Sequence, residues 1–211
     1  MSQSKTTQPS IQEYLLALQN LQSARLRRDH GDLAAEPQYQ QIGKFFFEEM
    51  YGPRDFTSRD AQAQRLQQFV HLAPGLAMRD VQQVLELLEL TNHLDHAVAR
   101  CLVAMQAPLN FDEALYERAY READNYKDRV RQLVLVRESL YNVWRLVRKP
   151  LMGQALSRTQ GLAHMVGMGD IHRFMRLGYQ SMKSVKDVHR FVETIDLRER
   201  RRLNRIYERV E

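Results

Sequence analysis

Cysteine is almost absent. Cys101 is the only one in 211 residues, so the chain can close no internal disulfide and build no multi-cysteine zinc site, and a reducing cytoplasm is the expected compartment. Proline and glycine are scarce, at six and nine, which leaves room for long uninterrupted helices. No apolar run approaches the length that spans a bilayer, so no membrane is expected. Residues 1–9 are polar, with neither a basic start nor an apolar stretch, and read as a solvated tail rather than a signal peptide. Also missing are strand-like alternation, internal repeats, His-Glu-x-x-His, paired Glu-x-x-His, and any phosphate-cradling glycine loop. No cofactor is implied.

What remains is ordinary globular usage, with 44% apolar and 27% charged residues. The length suits one helical domain over residues 10–211. The net charge of +5 conceals a division. Residues 1–117 hold ten Lys and Arg against fifteen Asp and Glu, whereas residues 118–211 hold twenty-one against eleven. A basic half of this kind attracts an acidic partner or nucleic acid, or it draws the two halves of one bundle together.

Apolar periodicity predicts an all-α fold, a multi-helix bundle of about eight helices. Ile11, Leu15, Leu18, Leu21 and Leu26 mark a first helix from Ser10 to Arg28, with Ser10 and Glu13 as a capping box and Asp29-His30-Gly31-Asp32 as its end. A second helix opens near Pro37 and stops at Tyr51-Gly52-Pro53, and a third runs from Thr57 to about His71. Met78–Met105 and Phe111–Arg148 are longer patterns joined by a short linker, which predicts a central antiparallel hairpin. Helices over Leu151–Met165, Ile171–Met182 and a last segment capped at Ser184 and Asp187 follow.

Phe45-Phe46-Phe47, Tyr51-Gly52-Pro53-Arg54-Asp55-Phe56 and Arg59-Asp60 together form a Phe-Phe, Tyr-Gly-Pro, Asp-Phe, Arg-Asp pattern. In this the chain resembles an uncharacterised bacterial all-helical family, with a weaker likeness through Leu90-Thr91 and Leu94-Asp95 into the C-terminal helices. The resemblance implies the helical fold and carries no activity.

Three constellations are candidates for function. Glu86, Glu89, His93 and His96 share one helical stripe and are weak metal-ligand candidates, although no second helix offers a matching set, so no metal is expected. On the opposite face Asp95 falls among Val84, Leu88, Ala99 and Leu102, and an inward carboxylate needs a partner. Arg137 likewise falls among Tyr126, Val130, Leu133, Tyr141 and Trp144. The hairpin register brings Arg137 nearer Asp80 than Asp95, which leaves Arg54 or a tyrosine to meet Asp95. Asp95, Arg137, Tyr51, Arg54, Tyr126 and Trp144 are therefore the candidate ligand-binding residues. Third, Arg145, Arg148, Lys149, Arg173, Arg176 and Arg198–Arg205 make a basic cluster, but acids interrupt it and no nucleic-acid-binding motif is present.

With no catalytic set in view, these features favour a non-enzymatic interaction or regulatory protein. Its partner would be another protein, of acidic character, or a second copy of the chain. A small-ligand-binding protein or helical enzyme with a pocket near Asp95 and Arg137 is the alternative, and nucleic-acid binding through the basic half comes third.

Overall fold

The structure, a computed structural model, describes residues 9–52, 56–70, 76–149 and 151–209. They form ten α-helices and one π-helical turn, with no strand among them. The helices are α1 (Ile11–Ala35), α2 (Gln40–Phe45), α3 (Thr57–Val70), α4 (Leu76–Ala104), α5 (Glu113–Glu122), α6 (Tyr126–Leu146), α7 (Met152–Arg158), α8 (Gln160–Met165), α9 (Gly169–Met182) and α10 (Val188–Ile206). The π-helical turn, Phe46–Met50, continues α2 directly. Arg54, expected as a partner of Asp95, the Pro74-Gly75 break and the tail before Pro9 lie outside the described residues.

The first helix starts where expected: the Ser10 Oγ accepts from the Glu13 amide, and the Ser10 amide donates to the Glu13 carboxylate at 2.8 Å. It does not stop at Arg28. Gly31 sits inside the helix, with nothing within 4 Å of where a Cβ would stand. A helical glycine costs about 1 kcal/mol relative to alanine. Burial of His30 and Leu33 on the inner face, and a two-pronged Arg198–Asp32 ion pair on the outer, offset that cost.

The arm expected as one helix over Phe111–Arg148 is two, because Asp124 takes a left-handed conformation (φ 44°) and breaks it between α5 and α6. Aspartate and asparagine tolerate that region better than other non-glycine residues, and the pair Asp124-Asn125 supplies the break. The segment Leu151–Met165 is likewise divided, at Thr159, into α7 and α8. Helix count therefore exceeds the expected eight.

Three buried apolar clusters hold the helices. One joins α1, α4 and α5 through Leu15, Leu18, Val98, Leu102 and Tyr116. A second joins the end of α1, α2, α6 and α10 through Leu33, Ile42, Leu140 and Phe191. The third packs α3 and α9 on α4 through Leu85, Leu88, Ile171 and Phe174. Cross-links between α4 and α6 include Leu94 to Arg129, Thr91 to Gln132 and Gln83 to Glu138, so along these three numbers rise on α6 as they fall on α4. Along α1, the polar stretch Gln22 to His30 separates the Leu18 end of the first cluster from the Leu33 end of the second.

Tyr51, Gly52 and Arg59 hold the π-helical turn. The Tyr51 amide donates to the Phe46 carbonyl, five residues back, at 3.0 Å. Arg59 donates to the Glu49 carbonyl at 2.8 Å, and its guanidinium lies 4.0 Å above the Phe56 ring. Gly52 is obligatory, since a Cβ there would stand 2.2 Å from the Glu48 carbonyl oxygen.

The two glycines should therefore respond oppositely to alanine. Gly31→Ala is expected to stabilise the protein by roughly 0.5–1 kcal/mol, and Gly52→Ala to destabilise it by about 2 kcal/mol or more. Urea unfolding of both variants checks this, and an unchanged midpoint for Gly52→Ala would sink the close-contact argument.

Candidate functional site

Where α1, α4, α5, α6 and α10 converge on the π-helical turn, the helices leave a cavity of about 110 Å³. One wall is apolar, with Leu133, Val136, Phe191 and Ile195 among its residues. The other is charged and hydrogen-bonding, with Gln22, Arg25 and His30 from α1, Asp95 from α4, Arg129 from α6 and Glu199 from α10. Three phenols, Tyr51, Tyr116 and Tyr120, complete the polar end, and burial pushes the pKa of each upward.

Asp95 is only 9% exposed. Gln22 Nε2 donates to its Oδ1 at 3.0 Å, and the Arg129 guanidinium stands 3.9 Å away. Burial raises the Asp95 pKa, and the opposing pull of Arg129 and Gln22 does not cancel it. Arg129, 3% exposed, spends its Nη atoms elsewhere: one donates to Gln132 Oε1 at 3.2 Å, the other to the Leu94 carbonyl at 3.1 Å. Its guanidinium carbon lies 4.2 Å above the Tyr120 ring. An internal cation thus already covers the face of that aromatic group.

Glu199 is the opposite case. Burial alone would raise its pKa, but the charge of Arg25 and hydrogen bonds from His30 and Arg25 hold it down to about 2. The carboxylate is therefore ionised, and His30 Nε2 donates to it at 2.7 Å. Two carboxyls on one cavity have been driven apart, one toward the neutral acid and one fixed as the anion. Arrangements of this kind occur at functional sites more often than elsewhere.

Several buried atoms here have no hydrogen-bond partner among the described residues: Gln22 Oε1, Arg25 Nε, His30 Nδ1 and Arg129 Nε. Buried polar atoms are satisfied in more than about nine cases in ten. A cavity of this size exceeds what one water needs, about 10–15 Å³. Asp196, which also lines the cavity, leaves its Oδ1 without a partner, so both donors and acceptors are unpaired on the residues around this space.

Of the residues singled out from the sequence, Asp95 and Tyr51 line this cavity. Arg137 reaches its wall only with its stem, because the guanidinium turns outward and binds Glu193 of α10 at 2.8 and 3.0 Å. Tyr126 donates to Asn204 at 2.9 Å and Trp144 to the Val185 carbonyl at 3.3 Å, so neither joins Asp95. Arg54 lies outside the described residues. Glu86 pairs with Arg131 at 2.7 Å, and His96 Nδ1 is 2.9 Å from the Asn92 carbonyl of its own helix. Glu89 and His93 border a surface recess with Asp60 and Arg100. Among the described residues, no group of three or more His, Cys, Asp or Glu is placed to hold a metal ion.

Sequence reasoning missed Arg25, His30, Arg129 and Glu199. The signal was present: Arg129 lies on the stripe of Gln132, Val136 and Leu140, and Arg25 follows Leu15, Leu18 and Gln22 at helical spacing. The basic cluster of α10 also has a structural account. Arg190 binds Glu36, Arg198 binds Asp32, and Arg202 and Arg205 bind Glu117, each reaching from the basic half to the acidic half.

A family model described as a domain of unknown function (DUF8198) matches residues 1–211, the full sequence. No curated protein and no solved structure matches the chain. No helix among the described residues is long and apolar enough to cross a membrane.

Neutralising the two carboxyls should separate them. Glu199→Gln leaves the Arg25 guanidinium buried without its counter-ion and should cost about 3–5 kcal/mol. Asp95→Asn mimics the neutral acid that burial favours and should cost far less, under about 1 kcal/mol. Because the Glu199 pKa is depressed, its contribution is present above about pH 4.5 and is lost as the pH falls toward about 2. Chemical denaturation of both variants between pH 3 and 7 checks these signs; equal losses would refute the assignment of roles.

Proposed function

The chain belongs to the DUF8198 family, and we propose that it is a small-ligand-binding protein whose site is the cavity bounded by Arg25, Asp95, Arg129 and Glu199. The observation that carries this reading is the set of unpartnered buried atoms, two arginine Nε groups and the Gln22 carbonyl among them, on residues that line one cavity. A closed structural network would have satisfied them with each other. The apolar wall opposite gives such a ligand a place for its non-polar part, as most small-molecule sites do. Tyr120 is already covered by Arg129, which argues against a cationic ligand and for one that accepts hydrogen bonds.

A metabolite thermal-shift panel tests the reading. A ligand present at 100 times its Kd stabilises the native state by about 2.7 kcal/mol. At least one hydrogen-bond-accepting compound should raise the melting temperature of the wild type, and the rise should disappear in Arg129→Lys while that variant stays folded. A panel with no response would leave the cavity a structural feature.

A second reading, self-association, rests on a separate observation. Leu151, Leu162, Met165 and Val166 in and beside α7 and α8 are 54–83% exposed, and an apolar face of this kind pairs readily across a two-fold. Light scattering should then show a dimer that Leu162→Glu combined with Met165→Glu returns to monomer; a monomeric wild type at all concentrations would exclude it.

A further inference from the structure

Next to the polar cavity lies a second one, of about 140 Å³, beneath α2, α4, α6, α7 and α9. Its lining is almost wholly hydrocarbon, with Val84, Val143, Leu156 and Met175 among its residues. The two cavities share a wall, because Phe46, Val136 and Leu140 line both. Phe46 is the first residue of the π-helical turn, a form of helix that is rare and recurs at functional sites. An apolar void in a protein interior forfeits packing energy on every side, and two voids meeting at one thin partition forfeit it twice.

From this geometry, and resting on the ligand-binding reading above, we propose that the ligand is an aliphatic monocarboxylate. Its carboxylate sits at Arg129 in the polar cavity, and its hydrocarbon chain passes the Phe46–Val136–Leu140 wall into the apolar cavity. The head follows from charge. Arg129 is buried, its nearest carboxylate is 3.9 Å away, and its Nε is unpartnered. Arg25, on the same cavity, carries the other unpartnered Nε, and charge-assisted bonds of guanidinium groups to a carboxylate are the strong ones. The tail follows from the second cavity, whose lining is aliphatic and aromatic apart from Asp80, Ser139 and the Tyr179 hydroxyl, Ser139 Oγ being buried without a partner among the described residues. Gly178 keeps that chamber open beside Phe45: a Cβ there would stand 3.2 Å from the phenyl ring.

Titration calorimetry with straight-chain acids from acetate to decanoate, each matched with the primary alcohol of equal length, tests the proposal. Affinity for the acids should rise about fourfold per added methylene until the apolar cavity is full, and then level. Leu156→Trp, or Met175→Trp if the first does not fold, narrows that cavity without touching the polar one and should move the levelling point to shorter chains. Arg129→Gln should weaken every acid at least tenfold and leave the alcohols unchanged. Acids whose affinity ignores chain length, or whose levelling point ignores the tryptophan variants, would refute the tail placement and leave the ligand-binding reading standing. Alcohols that bind as tightly as acids would refute the carboxylate head. If no acid binds while another compound in the thermal-shift panel does, the ligand class alone is wrong; if nothing binds in either experiment, both proposals fall.

Discussion

Arg25 on α1 and Glu199 on α10 are 174 residues apart in sequence and buried against each other. Neither could remain charged there alone, since removing a single partner from a buried pair costs about 3–5 kcal/mol. The pair therefore fixes where α10 lies along α1. His30 joins the same carboxylate a little more than one turn further on, and the Arg198–Asp32 pair beyond it holds α1 helical through Gly31. Around it the partly exposed pairs Arg198 with Asp32 and Arg190 with Glu36 repeat the same alignment, while the buried Arg202 ties α10 to Glu113 and Glu117 of α5. Exposed pairs contribute only about 0–1 kcal/mol each, so their role is to favour one register over its neighbours. The division of charge between the two halves of the sequence is in this respect a folding device.

That same alignment creates the cavity. A helix carrying Gln22, Arg25 and His30 on its inner face cannot close tightly on α6 and α10 as a row of leucines would. The polar groups satisfy one another in part, Arg25 with Glu199 and Gln22 with Asp95, and leave Arg25 Nε and Gln22 Oε1 buried without partners among the described residues. Burial then sets the chemistry: desolvation raises Asp95, while two direct partners hold Glu199 as an anion. The π-helical turn forms the side of this space, and Gly52 and Arg59 hold the turn in place.

The helical class was legible in the sequence because the apolar period runs through most of the chain and its breakers are few. Helix ends were less so. Gly31 reads as a stop, yet α1 continues through it because of contacts to α10 that local sequence does not contain. Asp124-Asn125 does not interrupt the apolar period strongly enough to divide the Phe111–Arg148 pattern, although both residues favour a turn. Within the site, Asp95 was visible as a carboxylate on an apolar stripe. Arg137 was singled out instead of Arg129 because the stripe through Tyr126 and Trp144 is as apolar as the stripe through Leu135 and Leu140, and only tertiary packing decides which faces inward. Arg25 and Glu199 look like ordinary surface charges until they are seen to face each other across two helices.

The central claim is that the polar cavity is a binding site rather than the residue of imperfect packing. Density at Arg129 in a high-resolution crystal structure of the protein, purified without added ligand, tests it most directly. The account predicts an ordered molecule, or ordered waters in its place, within hydrogen-bond distance of Arg129 Nε, Arg25 Nε and Gln22 Oε1. Side chains collapsed into the space, with those three atoms bonded to other protein groups and no cavity left, would contradict it.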